Sequence, residues 1–184
     1  RQRQMCIRDR INNASINSKE IKKNDIFFAI KGKNNNGNLF VKEAFKRGAS
    51  LAIVNSLKKK AKQIRVKDTL KFLTKSSSLL RNNTSSKIIA ITGSCGKTSL
   101  KELVGKTLNK ISNTTYSRKS FNNKYGVPLS LFNLKHNDEF GVFEIGMDKK
   151  GEIDYLSKIV KPDVSAVSYT HLRAHETLMN LVCR

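Results

Sequence analysis

The stretch Lys87-Ile88-Ile89-Ala90-Ile91-Thr92-Gly93-Ser94-Cys95-Gly96-Lys97-Thr98-Ser99 decides the fold. An apolar run of strand length leads into two close glycines, then Lys-Thr, then a helical pattern over about 98–109. A glycine-rich turn between strand and helix lets successive backbone N–H groups and the helix N-terminus face an anion. In such a turn Lys97 would neutralise the outer phosphates of a nucleotide, and the Thr98 hydroxyl would ligate Mg²⁺. Gly93, Ser94, Cys95, Gly96, Lys97 and Thr98 are therefore the candidate nucleotide-binding residues. The pattern G-x-x-x-x-G-K-[ST] would need glycine at position 91, where Ile91 stands, so the loop is a variant. Cys95 sits where a helix N-terminus and a lysine can lower a thiol pKa, or it simply fills a variable loop position.

Downstream, Thr114–Tyr116 reads as a short strand, and a helix opens near Val127-Pro128, where proline suits a first turn. Phe140–Ile145 is an apolar strand, Gly151–Ile159 a helix, and Val164 begins another strand. Upstream, Asp25–Ile30 and Leu51–Val54 read as buried strands, and Asn34–Asn38 as a loop with an Asn-Gly turn. Phe40, Val41, Ala44 and Phe45 have helical spacing, as do apolar residues between Asp68 and Leu80. Arg81–Ser86 is polar and aperiodic, which predicts a linker between two separately folding halves. Strand–helix alternation predicts parallel sheets with crossover helices. The expected class is α/β: a small N-terminal α/β substrate domain over 11–84, then a truncated parallel-sheet P-loop ATPase domain over 85–166.

The hydrophobic content of 38% over 184 residues is enough for a real core. No apolar run approaches the ~18 residues of a membrane span, and the first ten residues carry no apolar signal region. Three cysteines without regular spacing give neither a disulfide framework nor a zinc site. The formal net charge of +22 raises the question of a nucleic-acid partner. The lysines are spread over every segment between 11 and 166, and aromatics make up only 7%, so a solvated basic surface is the better reading.

The two ends differ from the middle. All 26 lysines lie within 11–166, whereas six of the ten arginines lie outside it. Met5–Asp9 can be encoded as ATGTGTATAAGAGAC. The reverse complement, GTCTCTTATACACAT, encodes Val-Ser-Tyr-Thr-His, which is Val167–His171. One DNA element thus flanks the middle in both orientations, and it resembles the transposon end used to prepare sequencing libraries. Residues 1–10 and about 167–184 are accordingly expected to be translated adaptor and not evolved protein.

Glu144 closes an apolar strand, and ligands of open parallel sheets bind at carboxyl ends of strands. A carboxylate there can hold Mg²⁺, or can be a solvated strand-end acid. Lys97 and Glu144 are the candidate catalytic residues, and Thr98 and Glu144 the candidate metal ligands. Asn122 and Asn123 can cap a helix or bind a polar substrate. His136 lies in a polar run and reads as a surface residue.

The segments TGSCGKT (92–98), NNKYGVP (122–128) and FEIGMDKKGEIDYL (143–156) resemble the Mur ligases in order and approximate spacing. Residues 16–54 are similar to the substrate-binding N-terminal domain of that family. Within the family, the Glu-Ile-Gly-Met stretch and the later Gly-Glu-Ile are most like the member that adds D-alanyl-D-alanine. The resemblance implies an ATP- and Mg²⁺-dependent amide ligase of peptidoglycan precursor synthesis, a cytoplasmic monomer without nucleic-acid partner or membrane insertion. It would activate UDP-N-acetylmuramoyl-tripeptide as an acyl phosphate and join it to D-alanyl-D-alanine. It also implies that Ser18, Lys19, Asn36, Gly37 and Asn38 lie where the uridine nucleotide is held, and Asn122 and Asn123 near the active site. The family commonly has Arg where Lys19 stands, and an acidic residue and a histidine where Asn36 and Asn38 stand. Family members run well beyond residue 166, so the chain itself is expected to be an inactive fragment. The rival readings are a folylpolyglutamate-type ligase, which shares the phosphate loop, and a non-catalytic basic module that binds RNA.

Overall fold

The computed structural model describes residues 12–32, 35–57 and 62–170. The terminal segments 1–10 and 171–184, both assigned above to an adaptor, lie outside the described residues. The chain divides into two compact units that meet between Leu73 and Thr74.

The first unit holds a four-stranded parallel sheet in the order β1-β2-β3-β4, with β1 Ala14–Ser15, β2 Ile26–Phe28, β3 Leu51–Val54 and β4 Gln63–Arg65. Its centre is apolar on both faces, as a parallel sheet covered by connections requires. Phe27, Ala29, Ala52 and Val54 pack with Val41 and Ala44 of α1 (Val41–Lys46) and with Ile21. A 3₁₀ turn over Gly37–Phe40 precedes α1.

Helix α2 (Thr69–Asn82) carries the chain into the second unit. The expected linker at 81–86 is therefore shorter than its composition suggested, because Arg81 and Asn82 are helical. The physical reason is local to the second unit. Arg81 donates to the carbonyls of Val160 and Lys161 and to Asp163, 2.8 Å away, while Ser77 donates to the Pro128 carbonyl. These bonds hold the last turns of α2 there, and the unit boundary falls inside the helix. No sheet crosses residues 81–86 among the described residues.

The second unit is a parallel sheet in the order β6-β7-β5-β8, formed by β5 (Lys87–Thr92), β6 (Thr114–Tyr116), β7 (Phe140–Glu144) and β8 (Val164–Val167). Helix α3 (Lys97–Leu108) joins β5 to β6, α4 (Gly126–Phe132) precedes β7, and α5 (Glu152–Val160) joins β7 to β8. The β5–β6 and β7–β8 connections each skip one strand and run in opposite directions. With right-handed crossovers they fall on opposite faces and leave a crevice at the carboxyl ends of β5 and β7. Ile88, Ala90, Phe143 and Ile145 form the core with Val127 and Leu131 of α4 and Leu156 and Val160 of α5.

Register sets the site. Ile91 stands level with Glu144 on β7, and Thr92 level with Val167 on β8. The chain leaving β5 therefore turns directly beside Glu144. Val167 continues β8, although it belongs to the end read as adaptor-derived. Strand pairing uses backbone groups and requires no particular side chain, so β8 can run on into any sequence that permits extension.

Candidate functional site: a phosphate loop facing a buried carboxylate

The loop after β5 is built by its glycines. Gly93 and Gly96 have φ of 139° and 77°, conformations that residues with a Cβ avoid. Gly96 is the N-cap of α3 and supplies no capping side chain. The first N–H groups of an α-helix have no intrahelical acceptor, so this end presents positive partial charge. Ser94 to Ser99 line an open cavity of about 280 Å³ together with Ser120, Asn122 and Glu144. The Lys97 ammonium folds back on the Gly93 carbonyl at 2.5 Å. The Cys95 side chain is an exposed free thiol.

Across the cavity Glu144 is 1% exposed. Its carboxylate is shared: the Thr98 hydroxyl donates to one oxygen and the Asn122 amide to the other, each at 2.8 Å. The Glu144 N–H donates to the Ser117 hydroxyl at 3.1 Å, and the Ser120 hydroxyl lies 3.3 Å from that of Thr98. Beyond the strand, the Gly146 N–H bonds to the Asn122 carbonyl at 2.6 Å, so backbone as well as side chain ties Asn122 to β7. The structure thus brings Lys97, Thr98, Asn122 and Glu144 together. Asn123 does otherwise: its side-chain oxygen accepts the N–H groups of Tyr125 and Gly126 at the start of α4, the capping alternative. His136 is exposed, in keeping with a surface role.

Ser117 and Ser120 were not among the sequence candidates. They lie in a polar stretch, Ser117-Arg118-Lys119-Ser120, whose composition reads as loop, and nothing in its spacing marks a site. The chain just after β8 also reaches the loop: the Ser94 N–H donates to the Tyr169 carbonyl at 2.6 Å, and the Ser168 hydroxyl donates to the Cys95 carbonyl with the Thr92 carbonyl 3.2 Å away.

In the first unit the candidate substrate residues are largely committed to each other. Ser18 is buried and its hydroxyl donates to Glu43 at 2.8 Å. That bond, aided by Arg47, holds the Glu43 carboxyl below the usual carboxylate range. The Asn36 oxygen accepts both the backbone and the side-chain N–H of Asn38. The buried Asn38 in turn accepts the N–H groups of Asn55 and Ser56. At Gly37 a Cβ would lie 2.7 Å from the backbone of Ala29 and Ile30, so this turn packs flat against the strand end. Lys19 is exposed.

Among the described residues no group of three or more His, Cys, Asp or Glu could hold a metal ion, and no helix is long and apolar enough to cross a membrane.

Comparison with known proteins agrees with this geometry. The Mur ligase middle domain profile matches residues 91–183, a range that begins at the end of β5 and continues past Ala166. A UDP-N-acetylmuramoyl-tripeptide–D-alanyl-D-alanine ligase of Buchnera aphidicola (subsp. Acyrthosiphon pisum) is 36% identical over 162 residues, 88% of this chain and 36% of the relative. The ligase of the same name from Rickettsia prowazekii is 36% identical over 91% of this chain and 38% of its own length. The solved UDP-N-acetylmuramoylalanyl-D-glutamyl-2,6-diaminopimelate–D-alanyl-D-alanyl ligase of Acinetobacter baumannii superposes with a TM-score of 0.73 at 35% identity. That match covers 85% of this chain and 36% of the solved one. A MurF ligase from Thermotoga maritima, solved in complex with ADP, gives a TM-score of 0.68 at 31% identity, over 86% of this chain and 37% of its own. The chain therefore spans little more than a third of these relatives. With half of its residues matched by the middle-domain profile, on a sheet that carries the loop and carboxylate described above, this chain belongs to the Mur ligase family.

Proposed function

We propose that the second unit binds the phosphates of ATP with Mg²⁺, as part of a longer ligase that joins D-alanyl-D-alanine to UDP-N-acetylmuramoyl-tripeptide. The observation that carries this reading is the 2.8 Å contact between the Thr98 hydroxyl and the buried Glu144 carboxylate at the mouth of the phosphate loop. A buried carboxylate is costly unless paired, and here its partners are a hydroxyl and an amide rather than a cation. The donor set suits Mg²⁺, which prefers hard oxygens and commonly takes one or two carboxylates, waters and phosphate oxygens. A cluster of three acidic ligands is not required. When bound, the ion would neutralise charge on the phosphates.

The chain's own residues then divide the work. The loop N–H groups and the α3 N-terminus would receive phosphate oxygens. Lys97 would exchange the Gly93 carbonyl for a phosphate. Thr98 and Glu144 would hold the ion, with Asn122 fixing the carboxylate. In the reaction, the terminal carboxylate of the tripeptide takes the γ-phosphoryl group from ATP and ADP leaves. The amine of D-alanyl-D-alanine then attacks the acyl phosphate, forming the amide and releasing phosphate and a proton. Positioning of this kind can supply ~7–11 kcal/mol of barrier reduction. In the first unit, the exposed Lys19 would meet the nucleotide's phosphates, while Ser18, Asn36, Gly37 and Asn38 shape the backbone around it. The names of the relatives support the substrates. The scattered lysines support a solvated surface without a nucleic-acid partner, and the likeness to the family supports a monomeric cytoplasmic enzyme.

We also propose that the ligase sequence occupies 11–166, with domains over 11–84 and 85–166, and that 1–10 and 167–184 are adaptor-derived. The bond from the Ser94 N–H to Tyr169 is then one that a phosphate oxygen would replace.

Glu144→Gln tests the metal role, because it keeps the shape but removes the charge and turns one of the two acceptor oxygens into an N–H₂ donor. The Mg²⁺ concentration that half-maximally enhances ADP binding should rise roughly tenfold or more, since even outer-shell partners of metal sites cost 10–100-fold. An unchanged magnesium titration by calorimetry would remove Glu144 from the metal site.

A further inference from the structure

Lys101 lies one turn beyond Lys97 on α3, and its side chain is 0% exposed. Its ammonium donates to the Ser117 carbonyl at 2.7 Å, the Lys119 carbonyl at 2.8 Å and the Glu102 carboxylate at 2.8 Å. An ammonium has three donors, and all three are used. The Glu102 carboxyl is held below its usual range, first by this hydrogen bond. Burial of an ammonium is unfavourable without such complete pairing.

Two of the three acceptors are backbone carbonyls of one segment, 117–120. Lys119 within it has φ of 51°, an uncommon conformation for a residue with a Cβ, and its carbonyl meets the buried ammonium there. This segment also feeds the site. The Ser117 hydroxyl accepts the Glu144 N–H, Ser120 lies beside Thr98, and Asn122, two residues on, binds the Glu144 carboxylate. The polar contacts that reach Thr98 and Glu144 from this side thus come from the stretch that Lys101 grips and from Asn122, which lies two residues beyond it.

We infer that Lys101 is a positioning residue for the magnesium–phosphate site, a buried strut that fixes 117–120 so that Ser120 and Asn122 hold Thr98 and Glu144 in metal-binding register. The inference rests on the phosphate-site reading proposed above. It assigns Lys101 no contact with nucleotide or metal, and it separates Lys101 from Lys97, whose ammonium faces the cavity.

The test uses the 184-residue chain with Lys101→Met, which keeps the stem and removes the ammonium, and Lys101→Arg, which restores charge and donors. ADP affinity is measured by calorimetry with Mg²⁺ and with EDTA, alongside the rate of tryptic cleavage after Arg118 and Lys119. The Met variant should lose roughly tenfold or more of the affinity gained from Mg²⁺. Its affinity in EDTA should stay within about twofold, because the loop N–H groups and Lys97 are unchanged. Cleavage in 118–120 should accelerate, and the Arg variant should recover part of both losses. Equal loss of affinity with and without Mg²⁺, or a full magnesium effect in the Met variant, would reduce Lys101 to a fold-stabilising residue and overturn the inference. If the unsubstituted chain binds no ADP in either condition, the phosphate-site reading itself fails and the inference with it. Should the Met variant not fold by circular dichroism, Lys101→Gln, with one donor left for one carbonyl, carries the same comparison.

Discussion

Lys97→Ala is expected to weaken ADP binding by about 2–3 kcal/mol, roughly 30- to 150-fold, while the melting temperature hardly moves. The figure follows from losing a charge-assisted hydrogen bond to a phosphate in a partly enclosed cavity. In the present structure the ammonium touches only a carbonyl of its own loop, so its removal breaks no contact between elements. The Gly93 carbonyl is beside open cavity and can be hydrated. Stability should therefore change by no more than about 0.5 kcal/mol, as for ordinary surface substitutions. Calorimetric titration with ADP, with thermal unfolding of the same samples, reads both quantities. A parallel loss of affinity and stability would mean that Lys97 supports the loop rather than the ligand.

Phe143→Ala should have the opposite profile. Phe143, the penultimate residue of β7, is 0% exposed and packed with Ile88, Val127, Leu131 and Leu156. Removing its ring loses transfer free energy and leaves a cavity that the surrounding sheet and helices can only partly close, at a cost of about 3–5 kcal/mol. Against the 5–15 kcal/mol typical of a folded domain, that leaves the second unit marginal. The effect on the site is indirect: Glu144 is the next residue, so ADP binding should fall with the folded fraction and not before it. Urea unfolding followed by circular dichroism gives the stability change. Ile111→Ala serves as the control, since Ile111 is 77% exposed and should shift stability by less than about 0.5 kcal/mol. A Phe143 variant as stable as the parent would mean that the core is assigned wrongly.

These two residues show what was legible in the sequence. The β5–loop–α3 unit could be read because three signals agree there: an apolar run, glycines at the turn and a helical pattern after Lys97. Phe140–Glu144 was legible for the same reason, and an acid at its end could be placed beside the loop from the strand-end rule alone. The short edge strands of the first unit were not. Ala14–Ser15 is too short to show a period, and Gln63-Ile64-Arg65 is partly or fully exposed, so its pattern resembles a polar loop. The end of α2 was misplaced because Arg81 and Asn82 look like linker residues until their tertiary partners are known.

Within the site the division is sharper. Lys97, Thr98 and Glu144 sit in motifs. Asn122 and Asn123 are adjacent and chemically identical, and only the structure separates the one that holds Glu144 from the one that caps α4. Lys101 is one of 26 lysines in a chain whose lysines mostly report a solvated surface, so composition argues against its burial. Ser117 and Ser120 matter through distances to other elements, which no local pattern encodes.

The most direct measurement is a crystal structure of the chain grown with ADP and Mn²⁺, with the metal located by its anomalous signal. The account predicts a peak between Thr98 and Glu144, with metal–oxygen distances near the ~2.1 Å expected of Mg²⁺. It also predicts the ADP phosphates on the N–H groups of the 93–98 loop, with the Lys97 ammonium moved off the Gly93 carbonyl. ADP bound elsewhere, or a metal peak remote from Glu144 with Thr98 and Glu144 still bonded to each other, would contradict it.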